Sequence, residues 1–388
     1  MNDSLPPVRL HMNPRFDRAE PYGARQRDVM SRADRERALA TIRAWSGYRP
    51  TPLIDLPGLA RTCGLGRVRL KHEGKRFHLR SFKALGGAYA VQRLIAERGE
   101  AAKATLTVCC ATDGNHGKAV AWGAQQAGIR CVIYLHAHVS QGREDAIAAF
   151  GAEIRRVDGT YDDSVRQAAR DAETHGWTVI SDTSWDGYAT IPAWVMQGYT
   201  VMIAEIIDQL GGDKPSHLFV QGGVGGLPAA VVAPFWDDWG ADRPLPVVVE
   251  PHAADCLYQS AVAGRLTEAE GNLDTVMACL SAGEASPLAW QVLDHGAAAF
   301  MSMEDRFAVD AMIALAAGTS GDPPLVVGES GSAGVAALMA LTDRDGMRGQ
   351  LGLDESANVL VIASEGATDP DIYRKVVGRT PEAVGERV

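Results

Sequence analysis

Between residues 67 and 250 the chain alternates two hydrophobic rhythms. Short runs rich in Val, Ile, Leu and Cys read as buried strands, and longer stretches with apolar residues three and four apart read as helices. The spacing predicts strands over 67–71, 104–110, 130–135, 153–157, 178–181, 217–221 and 246–250. Between them it predicts helices over 82–96, 115–127, 139–150, 163–175, 191–210 and 227–236. A late run, NVLVIA at 358–363, is apolar after its first residue and reads as a strand buried on both faces. Repetition of strand, helix and strand implies an α/β protein built on mostly parallel sheets.

The first 45 or so residues are polar and arginine-rich and are expected to wrap the surface, as is the tail beyond Pro370. With 388 residues, 46% of them hydrophobic and 22% charged, the chain suits two domains and is too apolar to be disordered. A net charge of −10 argues against general binding to nucleic acid or an anionic membrane. No apolar run approaches the roughly 18–20 residues that span a bilayer. The opening MNDSLPPVRLHMNPRF shows no secretory signal. The six cysteines form no Cys-x-x-Cys pair and no zinc-type spacing, so reduced thiols in the cytoplasm are expected, with a Cys256–Cys279 pairing left open.

In open parallel sheets ligands bind beyond the carboxyl ends of the strands, which directs attention to the strand-to-helix junctions. After 217–221 comes Gln221-Gly222-Gly223-Val224-Gly225-Gly226-Leu227-Pro228. Glycines let the backbone close on a ligand, and free N–H groups at a helix start attract an anion, a phosphate above all. The dinucleotide pattern G-x-G-x-x-G fails because Pro228 stands at its third glycine, and no Lys-Ser or Lys-Thr completes a P-loop. The junction Arg80-Ser81-Phe82-Lys83-Ala84 offers Ser81 as a helix cap and puts Lys83 in the first turn, where the helix dipole disfavours a cation. A desolvated lysine there is expected to have a lowered pKa and to act as nucleophile or base; a solvated helix lysine is the plainer alternative. Thr112-Asp113-Gly114-Asn115-His116-Gly117 gathers a carboxylate, an amide and an imidazole at another helix start, though Asp113 also suits a helix cap and His116 a packed turn. Two further junctions are the acidic turn Ser181-Asp182-Thr183-Ser184-Trp185-Asp186-Gly187-Tyr188 and Ser364, at the end of the late strand.

In this order, a lysine at a helix start, an Asn turn, a glycine anion loop and a strand-end serine resemble the fold type II, tryptophan synthase β-like family of pyridoxal phosphate enzymes. The stretches SFKALGGAYA, ATDGNHGKAVAW, SDTSWDGYATIPAWVMQGY, VEPHAADCLYQS, GESGSAGVAAL and VIASEGATDP resemble more narrowly its diaminopropionate ammonia-lyase branch, from about Gly47 to about Val377. Asp113, where serine and threonine dehydratases usually carry serine, and the segment IPAWVMQGY carry this narrower likeness. The chain departs from the branch at Ser81, at Gly225-Gly226-Leu227-Pro228 (usually closer to GVGAMAG as a whole loop), and at Ala282, where some relatives have cysteine.

The resemblance implies a two-domain fold, each domain a mostly parallel twisted sheet flanked by helices, with residues 1–84 and 199–388 in a large domain and 85–198 in a small one. It implies pyridoxal 5'-phosphate as cofactor, Lys83 as its Schiff-base lysine, Asn115 at its ring oxygen and Ser364 at its pyridine nitrogen. Gly222, Gly223, Val224, Gly225 and Gly226 would surround its phosphate, Asp113 and Asp182 would handle the substrate, and no metal is implied. The implied activity is elimination of 2,3-diaminopropionate, in D and L forms, to pyruvate and two ammonia by a cytoplasmic homodimer. Two carboxylates suit a substrate whose side group is cationic, which serine and threonine lack. The other readings are a serine, threonine or hydroxyaspartate dehydratase of the same fold, a pyridoxal phosphate-binding relative without turnover, and a nicotinamide dehydrogenase, which the failed glycine pattern disfavours.

Overall fold

Apolar runs that alternate their side chains across a sheet bury both faces when helices cover each side, and two such sheets organise this chain. The computed structural model describes residues 6–112 and 114–385. Its strands are β1 (Val8–Met12), β2 (Leu53–Asp55), β3 (Arg67–His72), β4 (Thr107–Ala111), β5 (Arg130–His136), β6 (Glu153–Val157), β7 (Thr178–Val179), β8 (His217–Gln221), β9 (Leu245–Pro251), β10 (Ala299–Met303) and β11 (Asn358–Ala363). A seven-stranded sheet has the order β1-β10-β9-β8-β11-β3-β2, and a four-stranded sheet the order β6-β5-β4-β7. The edge strands β1 and β2 pair antiparallel; the other pairings are parallel. The chain is therefore α/β with mostly parallel sheets, as its pattern predicts.

The interior strand β11 shows the two-sided burial: Leu360 and Ile362 join one apolar cluster, and Val359, Val361 and Ala363 join the other. Parallel alignment sends the carboxyl ends of β3, β8, β9 and β11 to the same edge of the large sheet. The helix Lys83–Arg98 packs against both Asn115–Ala127 and Thr190–Leu210. Glycines permit the approach: a Cβ on Gly198 would stand 2.2 Å from the Leu85 carbonyl oxygen, and one on Gly123 would stand 2.6 Å from Ala88 Cα.

Two expectations need correction. The amino-terminal segment does not merely wrap the surface. β1 forms an edge of the large sheet, and Val29, Met30, Ala38 and Ile42 are fully buried, the last two on the Arg32–Arg43 helix that packs on Thr190–Leu210. Its arginines instead pair with acids, as Arg35 does with Asp237 and Asp238, so a polar composition conceals a packed helix. The tail likewise forms a helix, Pro370–Val377, that buries Tyr373. β10 and the helices Pro287–Gly296, Arg306–Ala317 and Ala333–Leu341 add elements that the strand–helix spacing upstream does not mark.

A buried ionic cluster ties β3 to the Thr190–Leu210 helix. Lys71 Nζ donates to Glu205 Oε2 at 2.7 Å and to the Thr51 carbonyl at 2.8 Å. The Arg76 guanidinium bridges Glu73 and Glu205, each at 2.7 Å. Two cations thus meet two carboxylates, all essentially excluded from water. Removing one member leaves an uncompensated buried charge, which costs far more than the intact cluster contributes. Glu205→Gln should therefore destabilise the chain by about 3–5 kcal/mol, read as a lowered midpoint in urea unfolding. A loss below about 1 kcal/mol, typical of an exposed pair, would show that the cluster relaxes around the change.

Candidate active site

The site grows from the carboxyl edge of the large sheet. Beyond β11 the backbone N–H of Phe82 donates to the Ser364 carbonyl at 3.0 Å, and Ser81 forms an isolated antiparallel bridge with Glu365. These contacts set the start of the Lys83–Arg98 helix. Phe82 rather than Ser81 occupies the cap position; Ser81 Oγ still accepts from the Lys83 N–H at 3.3 Å. Immediately upstream, Phe77, His78 and Arg80 hold φ of 48°, 60° and 61°, a left-handed region that non-glycine residues enter at a cost of about 1–2 kcal/mol each.

Lys83 Nζ donates to Asp182 Oδ2, and the two side chains are 17% and 18% exposed. The aromatic rings of Phe82 and Tyr199 lie 5.4 and 5.9 Å from the ammonium. This corrects the expected pKa of Lys83. Burial does lower it, but the Asp182 carboxylate more than offsets burial and holds the lysine above its ordinary value. Burial raises Asp182 in turn, and the Lys83 charge, with help from His116, overrides that and keeps it below the ordinary carboxylate range. The pair rests as ammonium and carboxylate.

Asp182 follows β7 in a turn braced by Tyr188, whose hydroxyl accepts from the Ser181 N–H at 3.1 Å and donates to the Val179 carbonyl at 2.8 Å. Trp185 stacks on Tyr188 at 4.1 Å. His116 reaches the same carboxylate: its Nε2 lies 2.8 Å from the Ile180 carbonyl and must donate there, which leaves Nδ1 bare, 3.8 Å from Asp182 Oδ2. Burial lowers the pKa of His116, against the pull of Asp182.

The glycine loop sits on the other side of this pair. Gly223 and Gly225 have φ of 63° and 95°, and the helix Gly226–Trp239 begins directly behind them. The first N–H groups of that helix have no acceptor within it. A Cβ built on Gly226 would meet nothing closer than the Asp182 carbonyl oxygen and Met196 Cγ, both at 3.6 Å, so the loop borders the Asp182 backbone and leaves room there. Ser286 locks the two segments together, its N–H donating to the Val224 carbonyl at 2.8 Å and its Oγ lying 2.7 Å from Ser184 Oγ.

Asn115 opens the Asn115–Ala127 helix beyond β4, and its Nδ2 donates to Glu365 Oε2 at 2.5 Å. Ser364 Oγ accepts from Gln221 Nε2 at 2.9 Å, which leaves the hydroxyl hydrogen for another acceptor. Asp113 lies outside the described residues. Pairwise contacts thus link these residues: Lys83 to Asp182, Gly226 to the Asp182 backbone, Ser364 to Phe82 and Gln221, and Asn115 to Glu365 beside Ser364. All six cysteines are free, so Cys256 and Cys279 do not pair: Cys256 Sγ faces the Gly223 carbonyl, while Cys279 Sγ lies 3.3 Å from Asn115 Nδ2.

Asn115 also lines a small pocket, with Lys118, Arg143 and Cys279. Burial, with Arg80 nearby, draws Lys118 down to about 8. Arg143 faces Glu329 at 3.4 Å and Asp369 at 3.5 Å, and burial plus the Glu365 charge pushes Glu329 up to about 8. Glu365 follows Ser364, Glu329 lies within GESGSAG and Lys118 within ATDGNHGKAVAW, all stretches that the sequence singles out; Cys279 stood out only as a possible partner of Cys256, and nothing local marked Arg143.

The donor set fits a heteroaromatic ring carrying a phosphate: glycine-loop N–H groups for the anion, an amine, an amide and a hydroxyl with a free hydrogen. The comparisons agree. Residues 44–365 match the family model described as "Pyridoxal-phosphate dependent enzyme". The chain is 40% identical over 357 residues to diaminopropionate ammonia-lyase of Escherichia coli strain K12, covering 87% of this chain and 90% of that one. The crystal structure of the Escherichia coli enzyme with an aminoacrylate–PLP azomethine reaction intermediate superimposes with a TM-score of 0.89 at 37% identity, covering 97% of this chain and 98% of that one. The structure of the same enzyme with D-serine superimposes with a TM-score of 0.87 at 36% identity and the same coverage. A match of this length and identity, on a donor set of this chemistry, makes the chain a pyridoxal phosphate-dependent enzyme of the diaminopropionate ammonia-lyase family.

Proposed function

We propose that the chain catalyses α,β-elimination of 2,3-diaminopropionate, in both D and L forms, to pyruvate and two ammonia. The observation that carries this reading is the Lys83–Asp182 pair beside the glycine loop: a buried amine with a carboxylate beside it, where a second cation can take the amine's place. Lys83 Nζ would hold the cofactor aldehyde covalently, the loop Gly222–Gly226 its phosphate, Asn115 its ring oxygen and Ser364 its pyridine nitrogen. Pyridoxal phosphate, when bound, supplies the electron sink for the carbanion left on loss of the α-proton. With Lys83 engaged, Asp182 loses its partner and is free to hold the distal ammonium of the substrate. Lys83, as a neutral amine, would take the α-proton. The leaving amine departs as ammonia only when protonated, so a carboxylate that holds it cationic also readies it to leave. The hydroxyl of Ser364, unlike a carboxylate, does not enforce a proton on the ring nitrogen, which favours elimination over transamination.

With this reading go a large unit of residues 1–84 and 199–388 and a small unit of 85–198. It is supported by a four-stranded sheet whose strands all lie between Thr107 and Val179. A cytoplasmic homodimer is the assembly and location proposed; the unpaired cysteines suit a reducing compartment. Among the described residues no helix is long and apolar enough to cross a membrane, and no cluster of ligating side chains suits a metal.

The substrate assignment is tested by keto-acid release from D- and L-diaminopropionate, serine and threonine; faster turnover of serine or threonine than of diaminopropionate would refute it. Lys83→Ala should abolish the borohydride-reducible link to the cofactor and lower turnover by several orders of magnitude, and a link persisting on another lysine, Lys118 above all, would displace the assignment. Gly226→Asp tests the phosphate cup without backbone strain, since Gly226 has an ordinary φ and room for a Cβ. Charge repulsion should weaken cofactor binding at least tenfold while Gly226→Ala stays near the parent; equal binding by both variants would move the phosphate elsewhere. Asp113, two residues before Asn115, is proposed as base for the D isomer and Lys83 for the L isomer. Asp113→Asn should then depress D turnover far more than L turnover with the cofactor spectrum intact, and equal losses would make Asp113 a shared binding residue.

A further inference from the structure

Glu365 follows the strand-end serine and is 1% exposed. Its carboxylate is held from several sides. Oε2 accepts from Asn115 Nδ2 at 2.5 Å, from Thr368 Oγ1 at 3.3 Å and from Cys279 Sγ at 3.4 Å, and Oε1 accepts from the Ser330 N–H at 3.3 Å. Its backbone is fixed too, through the bridge to Ser81 and through the Gly328 N–H, which donates to its carbonyl at 3.1 Å. No other carboxylate is recorded in contact with Asn115 among the described residues.

We propose that Glu365 is a positioning residue for the cofactor, fixing which way the Asn115 amide faces and so presenting an N–H to the cofactor ring oxygen. The proposal rests on the reading of Asn115 given above. The physical argument concerns the amide. A carboxylate only accepts hydrogen bonds, so it selects Nδ2 and repels Oδ1. The flipped amide would set Oδ1 against Oε2, two acceptors in a buried site, at the cost of an unmade hydrogen bond. Asn115 Nδ2 carries two hydrogens, of which Glu365 takes one. The other is directed at Cys279 Sγ, 3.3 Å away, a weak acceptor that a ligand oxygen can displace without reorienting the amide. A hydrogen bond whose donor is pre-oriented loses less entropy on binding than one whose donor must be found among two orientations. Glu365 cannot swing away, because Ser330, Thr368 and the Ser81 bridge hold it, so the orientation of Asn115 is set by the end of β11. The same segment carries Ser364, and the two ends of the ring would thus be registered by two consecutive residues.

The test is a double-mutant cycle on Asn115→Ala and Glu365→Ala, read as the affinity of the apo chain for pyridoxal phosphate and as the visible band of the bound cofactor at fixed pH. Each single change should weaken affinity about tenfold, the scale of one hydrogen bond, and shift the band. The double variant should be no more than about twofold worse than the weaker single, because both remove the same contact. Glu365→Gln, whose carbonyl can still accept from Asn115, should recover most of the affinity. Losses that multiply toward a hundredfold, or a Glu365→Ala chain that binds like the parent, overturn the proposal. If Asn115→Ala alone changes neither affinity nor band, the reading of Asn115 itself has failed, which is distinguishable because Glu365→Ala then stands without a partner. Should Glu365→Ala fail to fold, Glu365→Asp, one methylene too short to reach the amide, takes its place in the cycle under the same criteria.

Discussion

The arrangement of the site depends on one junction, where the Phe82 N–H meets the Ser364 carbonyl and Ser81 pairs with Glu365. It joins the amino end of the Lys83–Arg98 helix to the carboxyl end of β11. That strand is itself held between β8 and β3, with both faces buried, so its end cannot drift. β8 delivers Gln221 and the glycine loop to the same edge, and Gln221 ties back to Ser364. Lysine, serine and anion cup are therefore registered against one backbone segment rather than against one another through flexible side chains. The left-handed residues between Phe77 and Arg80 lie on this approach, where neighbouring structure over-determines a strained backbone.

The second organising feature is that buried charges have partners. Lys71 and Arg76 meet Glu73 and Glu205 under the helix Thr190–Leu210; Lys83 meets Asp182; Arg143 meets Glu329 and Asp369. The first cluster is closed on all sides and holds elements together. The second borders an open cup, so its partnership can be exchanged. In the function proposed here, an amine engaged elsewhere would free that carboxylate for the cationic side group of a diamino acid, which a hydroxy amino acid lacks. The third clusters near Asn115, where burial and the neighbouring Glu365 carboxylate raise the pKa of Glu329 to about 8.

Local chemistry made much of this legible before any tertiary contact was known. The apolar run located β11 to the residue, glycines with a following helix marked a candidate anion cup, and the helix start at Lys83 stood out because a cation there conflicts with ordinary helix-start preferences. Those signals depend on neighbours within a few positions. The protonation of Lys83 did not follow from its own helix. Dipole and burial both argued for a lowered pKa, and a carboxylate 99 residues away reversed the sign. Composition misjudged the amino-terminal segment for the same reason, since its arginines find their acids on a helix some 200 residues later.

The sequence by itself determined the class of fold, the order of the junctions and the residue types that meet a phosphate, an amine and a substrate cation, because turns, caps and periodicity are short-range properties of the chain. Only the tertiary structure decided which groups meet across distant segments. Glu365 meets Asn115 over 250 residues, Cys279 stays a free thiol beside that amide, and Lys118 and Arg143 line a small pocket with it. Pocket lining, pairing and charge balance are set where distant segments converge, and that convergence is fixed by the parallel sheet, whose strands bring their carboxyl ends to one edge whatever their separation along the chain.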